Sequence, residues 1–319
     1  MTSSKKVSPV TTAAEKPRRR GASTAEGVPP VVAYSFFPGC SLHSTAREYH
    51  DSVVFSLAAL GVDLQEVDDW NCCGATALSS TGTLLSYVLP ARVLALAQEA
   101  GRPLAVACNS CFVTLNRANA VLDGQSEWRE RVENALRAIG RTVQGATEIR
   151  HTLSILREDV GLKRLRQAVQ RPLYGLRVAP YYGCQFSRPR YADANPELPV
   201  EMDEVLEAIG ADVVRYDRKT KCCGGALMTT KEDVVLQLNE QLLREAQAQG
   251  AELIAVCCPM CQMNLDAYQG KINNRFGTRY NTPIVYYSQL VGFALGLSEE
   301  SMGFSRGFVP ATRHLRRYA

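Results

Sequence analysis

The sequence predicts an α/β protein of two similar domains, each with a parallel sheet flanked by helices, related by internal duplication and preceded by a disordered N-terminal tail. Three observations predict it. Ten of the eleven cysteines fall into two groups with the same internal order. Short apolar runs alternate with segments of helical periodicity, the pattern of parallel sheets. A length of 319 residues exceeds one ordinary core, since roughly 150 residues make a domain.

The duplication is explicit in the spacing. Cys40 is followed by 31 residues, Cys72-Cys73-Gly74 and then Cys108-Asn109-Ser110-Cys111; Cys184 is followed by 37 residues, Cys222-Cys223-Gly224 and then Cys258-Pro259-Met260-Cys261. In both halves 34 residues separate the adjacent pair from the last pair. The surroundings agree as well: FFPGC with YYGC, NCCGA with KCCGG, AVACNSCFVTLN with AVCCPMCQMNLD.

Each group falls at strand ends. The runs at 31–37 and 176–182 read as buried strands closed by Pro38-Gly39-Cys40 and Gly183-Cys184. Runs at 62–67 and 211–216 lead into the Cys-Cys-Gly segments, and those at 103–107 and 252–256 deliver the last pairs, each of which opens a helix. Between them residues 45–60, 78–99, 200–209 and 231–249 carry apolar side chains at three- and four-residue intervals, as helices do. Residues 283–287 give a last strand with a helix after it. Ligands of parallel sheets gather at the carboxyl edges of the strands, so the ten cysteines are expected to converge there.

The expected domains are a basic tail at 1–29, a first cluster-binding domain at 30–124, a helical linker at 125–172, a second cluster-binding domain at 173–300 and a basic C-terminal tail at 301–319. Apolar residues form 46% of the composition and charged ones 21%, as in ordinary globular proteins. The net charge of +4 resides in residues 1–27, which hold six Lys and Arg against Glu15 and Glu26 and leave 30 groups of each sign elsewhere. A basic nucleic-acid-binding face is therefore not expected. The tail lacks the apolar run of a secretory signal, and no stretch approaches the roughly 20 apolar residues of a membrane span. A cytoplasmic location is expected, and there cysteines serve metal or redox chemistry rather than disulfides.

Cysteine pairing separates zinc from a cluster. Structural zinc takes four ligands, commonly from two CxxC-like pairs. Side chains of adjacent cysteines diverge, so Cys72-Cys73 and Cys222-Cys223 suit two ions of a polynuclear site better than one tetrahedral ion. Gly74 and Gly224 let backbone amides turn toward anionic sulfur. The common ferredoxin run is absent. A zinc scaffold remains a weaker alternative.

This repeated arrangement resembles the cysteine-rich CCG domain found in the B-type subunit of heterodisulfide reductase, over about residues 31–297. The resemblance implies two α/β domains about a pseudo-twofold axis and two noncubane four-iron four-sulfur clusters. Cys40, Cys72, Cys73, Cys108 and Cys111 would ligate one, and Cys184, Cys222, Cys223, Cys258 and Cys261 the other, with a substrate disulfide entering between them. It further implies an oxidoreductase acting on sulfur groups, reducing a disulfide or oxidising thiols in reverse. Its expected partners are the heterodisulfide-reductase-like A-type subunit, which bears flavin and clusters, and the ferredoxin-like C-type subunit; this chain lacks the motifs of both. The segment PGCSLHSTAREY looks more like bacterial heterodisulfide-reductase-like proteins, one group of which oxidises sulfur on a lipoyl carrier. A non-catalytic electron-transfer subunit of a quinone-linked dehydrogenase, for lactate, glycolate or glycerol phosphate, is the other alternative.

Other residues carry smaller expectations. His43 is a candidate proton donor near the first group, although such a histidine is more often a solvated one, and so is His50. Lys221 and Arg188 flank second-group cysteines, where they offset cluster charge or lie as surface charges. Cys257 aligns with Ala107 and reads as a buried strand-end thiol. His151 and His314 fall in linker and tail and need no function. Gly39 and Gly183 serve backbone geometry.

Overall fold

The computed structural model describes residues 33–76, 78–188 and 195–318. The expected N-terminal tail lies outside them, together with Val31 and Val32. Two four-stranded sheets form, with all neighbouring strands parallel. The first has the order β2-β1-β3-β4, from β1 (Ala33–Phe37), β2 (Asp63–Glu66), β3 (Leu104–Val106) and β4 (Ile149–His151). The second repeats it as β6-β5-β7-β8, from β5 (Arg177–Tyr181), β6 (Asp212–Val213), β7 (Leu253–Val256) and β8 (Ile284–Tyr286). Register repeats too: Phe37 opposes Val106 and Val106 opposes His151, as Tyr181 opposes Val256 and Val256 opposes Tyr286. The central strands β1, β3, β5 and β7 are almost wholly buried, which is why they read as continuous apolar runs rather than alternating ones.

The helices cover the sheets much as expected, Arg47–Ala59, Glu201–Ala208 and Glu232–Ala248 where the periodicity placed them and Asn109–Asp123 opening at the first CxxC. The helix expected over 78–99 divides into Leu78–Thr81 and Leu85–Glu99. Gly82, a poor helix former, stands at the division. Among the described residues no helix is long and apolar enough to cross a membrane.

Two expectations need correction. The segment read as a helical linker does supply the helix Glu127–Ala138, capped by Ser126, whose side chain accepts from Arg129 N. It also contributes β4, which completes the first sheet as β8 completes the second. A three-residue strand with Arg150 at its centre is too short to display a period. The segment after residue 301 is no free tail. Met302, Phe304, Ala311 and Leu315 are buried, and the Asp266 carboxylate accepts from Phe308 N (2.8 Å) and Val309 N (3.0 Å). Four isolated apolar side chains among arginines gave no periodic signal.

The two halves share one core. The first-half helix Arg47–Ala59 crosses the second-half helix Tyr287–Ala294 through small residues, with Ser52 Oγ 2.7 Å from Ser288 Oγ and Ser56 Oγ donating to Ser288 O at 2.9 Å. At its start Tyr49 stacks on Tyr286 with ring centres 4.0 Å apart. The Tyr49 hydroxyl donates to Ala107 O (2.9 Å) and lies 3.2 Å from Cys257 O, tying the ends of β3 and β7 together.

This crossing has no spare volume. A β-carbon at Gly292 would clash with Met302 Sδ and stand 2.7 Å from Ser56 Oγ. Gly292→Ala is expected to destabilise the protein by about 1–3 kcal/mol, the usual cost of overpacking. Anaerobic urea unfolding checks this through a lower midpoint at unchanged slope.

Candidate functional site

Every cysteine of the two groups follows a strand's carboxyl end. Cys40 lies in the one-turn helix Gly39–Leu42 after β1, Cys72 and Cys73 in the loop after β2, and Cys108 caps the helix that follows β3, with Cys111 in its first turn. In the second half Cys184 follows β5, Cys222 and Cys223 follow β6, and Cys258 caps the helix Pro259–Asp266. Cys40, Cys72 and Cys222 are exposed, Cys184 is intermediate and the other six are buried.

The structure brings the sulfurs of each group together. Cys73 Sγ lies 3.2 Å from Cys111 Sγ and Cys72 Sγ 3.8 Å from Cys40 Sγ; Cys223 Sγ lies 3.6 Å from Cys261 Sγ. Backbone amides donate to them, Gly74 N to Cys72 Sγ (3.4 Å), Gly224 N to Cys222 Sγ (3.3 Å) and Gly225 N to Cys223 Sγ (3.4 Å). Such donors favour anionic sulfur, and the partial positive charge at a helix N-terminus adds to this at Cys258, whereas the Cys258 thiol and burial push Cys108 up. Each close pair divides: Cys73 is held below the ordinary thiol range by the Cys111 and Cys72 thiols and Cys222 by Cys184, while Cys72, Cys111 and Cys184 are pushed up by their thiol neighbours and by burial.

Two glycines make room for this packing. Gly39 and Gly183 have φ of +71° and +67°, and a β-carbon there would stand 3.0 Å from Cys111 Sγ and 2.9 Å from Cys261 Sγ. The turn after the central strand thus presses its bare backbone against the CxxC sulfur, in both halves alike.

The two groups also approach each other: the Tyr49 hydroxyl bonds Ala107 O and Cys257 O, the carbonyls just before Cys108 and Cys258, and the Asn109 side chain bonds Tyr182 O. A cavity of about 250 Å³ lies against the second group, all five of whose cysteines line it, and Ala75, Thr76, Asn109 and Ser110 of the first half close it. Ser110 Oγ donates to Gln185 Oε1 at 2.5 Å across its rim.

The remaining expected residues divide. Cys257 is fully buried, and burial pushes its thiol up. The Asn109 side-chain amide donates to Tyr182 O at 2.9 Å and stands 3.5 Å from Cys257 Sγ. His43 Nε2 lies 3.0 Å from Glu66 Oε1, and its ring packs edge-on to Trp70. Arg188 pairs with Glu197, and Lys221 is exposed. His314 Nδ1 lies 3.9 Å from Glu252. His151, expected to be unremarked linker, is buried at the end of β4 between the rings of Phe112 and Phe186, and burial lowers its pKa to about 4. Sequence reasoning missed Tyr49, Asn109 and Glu66; for Asn109 the signal was its place inside the first CxxC.

Five sulfurs per group, amide donors on both adjacent cysteines of the second and a donor set without nitrogen or oxygen fit iron–sulfur ligation. The comparisons with known proteins agree. The family of the cysteine-rich CCG domain matches twice, at residues 34–116 and 178–266. The chain is 31% identical over 282 residues to the 8-methylmenaquinol:fumarate reductase membrane anchor subunit of Wolinella succinogenes, covering 88% of this chain and 98% of that one. It is 31% identical over 281 residues to the B-type subunit of the ferredoxin:CoB-CoM heterodisulfide reductase of Methanosarcina mazei, covering 86% and 93%. A hypothetical protein from Helicobacter pylori shares the fold, with a TM-score of 0.70 at 15% identity, over 88% of this chain and 52% of that one.

The glycine contacts predict a contrast. Gly183→Ala adds both left-handed strain, about 1–2 kcal/mol, and a collision with Cys261. Gly175→Ala, at φ +80° with nothing within 4 Å, adds the strain alone. Unfolding midpoints are expected to fall further for Gly183→Ala; equal shifts would show that Cys261 yields freely.

Proposed function

The chain belongs to the family of heterodisulfide reductase B-type subunits, built on two cysteine-rich CCG domains, and from that premise we propose that it is the iron–sulfur subunit of an oxidoreductase complex that cleaves a disulfide, or joins two thiols, at two facing clusters. The carrying observation is the approach of the two cysteine groups, with Tyr49 bonding the carbonyls just before Cys108 and Cys258, beside a cavity lined by the second group and closed by residues of the first half.

In this proposal Cys40, Cys72, Cys73, Cys108 and Cys111 hold one noncubane four-iron four-sulfur cluster, and Cys184, Cys222, Cys223, Cys258 and Cys261 hold the other. When bound, the clusters supply one-electron transfer and iron able to hold a sulfur. The net change is RSSR′ + 2 e⁻ + 2 H⁺ → RSH + R′SH, with electrons from a partner protein of the complex. The chain's own part is to stabilise thiolates through the Gly74, Gly224 and Gly225 amides, to hold the two groups at one distance through Tyr49, and to orient the substrate at the cavity. The Ser110 and Gln185 side chains give that rim polar groups, and Met260 gives it an apolar wall, a combination suited to a small thiol or a lipoyl arm.

A second reading has its own support. Similarity over 98% of the fumarate reductase subunit of Wolinella succinogenes favours electron transfer between a quinol and a partner dehydrogenase, with the same ten cysteines and no thiol substrate.

Anaerobic purification with iron and sulfide analysis, followed by electron paramagnetic resonance with thiol or with a menaquinol analogue, tests both. About eight irons per chain are expected if each group holds a four-iron cluster, with a signal altered by thiol. A signal answering only to quinol would favour the second reading. Cys72→Ala and Cys222→Ala are each expected to lose about half of the iron; zinc in place of iron at both groups would overturn the cluster assignment.

A further inference from the structure

A second donor set, without cysteine, lies beside the first group. His43, His50 and Glu66 come from three elements, the end of the helix Gly39–Leu42, the helix Arg47–Ala59 and the end of β2. One donor atom from each falls within 4.8 Å of the others. His43 Nε2 is 3.0 Å from Glu66 Oε1 and His50 Nε2 is 4.0 Å from Glu66 Oε2. Neighbouring ligands of a tetrahedral ion with bonds of about 2.0–2.1 Å stand about 3.3 Å apart, between these two spacings.

Surrounding groups orient the set. Asp51 Oδ1 lies 3.2 Å from His50 Nδ1, and Arg306 Nη1 holds the other oxygen of Asp51 at 3.1 Å. A carboxylate on Nδ1 fixes the proton there and leaves the Nε2 lone pair facing Glu66, the carboxylate–histidine support common at metal sites. Trp70 Nε1 donates to Glu66 Oε1 at 2.8 Å, and its ring and that of His50 flank His43 edge-on at 5.2 and 5.5 Å. The set is reachable, since His43 is 41% and Glu66 39% exposed. Duplication does not account for it, because Ser187 stands three residues after Cys184 where His43 stands three after Cys40.

We propose that His43, His50 and Glu66 form a binding site for one zinc-class divalent ion, with water in the fourth position. Two imidazoles and a carboxylate match zinc and disfavour magnesium or calcium, which take oxygen ligands. The ion braces the segments that carry Cys40 and Cys72: His43 is three residues after the former, and Trp70, on Glu66, is two before the latter. An imidazole nitrogen bound to metal has no proton to give, so the site replaces the proton-donor role expected of His43.

The test is equilibrium dialysis of the full-length, cluster-loaded chain against zinc under anaerobic conditions, with zinc and iron measured on the same samples and cobalt as the spectroscopic probe. One zinc per chain is expected at full iron content, and cobalt is expected to give the absorption of a nitrogen- and oxygen-ligated ion without thiolate charge-transfer bands. His50→Ala and Glu66→Gln should abolish binding with iron unchanged. Asp51→Asn, which keeps all three ligands, should weaken it 10- to 100-fold and serves if the others fail to fold. Absence of zinc binding in the unaltered protein would overturn the proposal. So would zinc that survives Glu66→Gln or rises only as iron falls, which would mark empty cysteine sites.

Discussion

The constraint on which the rest depends is that a parallel sheet ends every strand on the same edge. Each strand of β1, β2 and β3 therefore delivers its following turn to one place, and so does each of β5, β6 and β7. Thiols far apart in sequence arrive within 4 Å of one another without long loops. The cost of this crowding falls on the turns after β1 and β5, where Gly39 and Gly183 give up a side chain so that the sulfurs of Cys111 and Cys261 can occupy the space.

Duplication then sets how the two edges face. The halves are joined through a shared core rather than a flexible hinge, by the stacked Tyr49 and Tyr286, the serine-lined helix crossing and the Asn109 bond to Tyr182 O. Close packing of this kind has little compliance. Separation of the two cysteine groups is thereby fixed by the fold, and a cavity at their junction follows. Departures from symmetry occur both at the junction, where the repeats align Cys257 with Ala107 and Asn109 with Pro259, and at the surface, where the first half has the His43, His50 and Glu66 set.

The sequence disclosed the parts governed by local pattern. Repeated cysteine spacing and buried apolar runs were enough to locate the strand ends, and the shared register of Phe37 with Val106 and Tyr181 with Val256 agrees with the alignment of the repeats. What it concealed was short or distant. Strand β4 is three residues long, and β6 shrinks to Asp212–Val213 within a longer apolar run. Tyr49 reaches Cys257 O across 208 positions, a pairing that no periodicity encodes. The C-terminal segment docks through the buried carboxylate of Asp266, whose helix gives no hint of a partner 42 residues away.

If the fold fixes the separation of the two cysteine groups, the centres they hold should be magnetically coupled. The Tyr49 hydroxyl bonds the carbonyls that precede Cys108 and Cys258, so clusters held by the two groups should be close enough to relax or split one another's paramagnetic signals. A broadened or split spectrum is expected in the cluster-loaded protein, collapsing to a single sharp centre in Cys222→Ala. Two full clusters with independent signals, each unchanged when the other site is removed, would contradict that coupling.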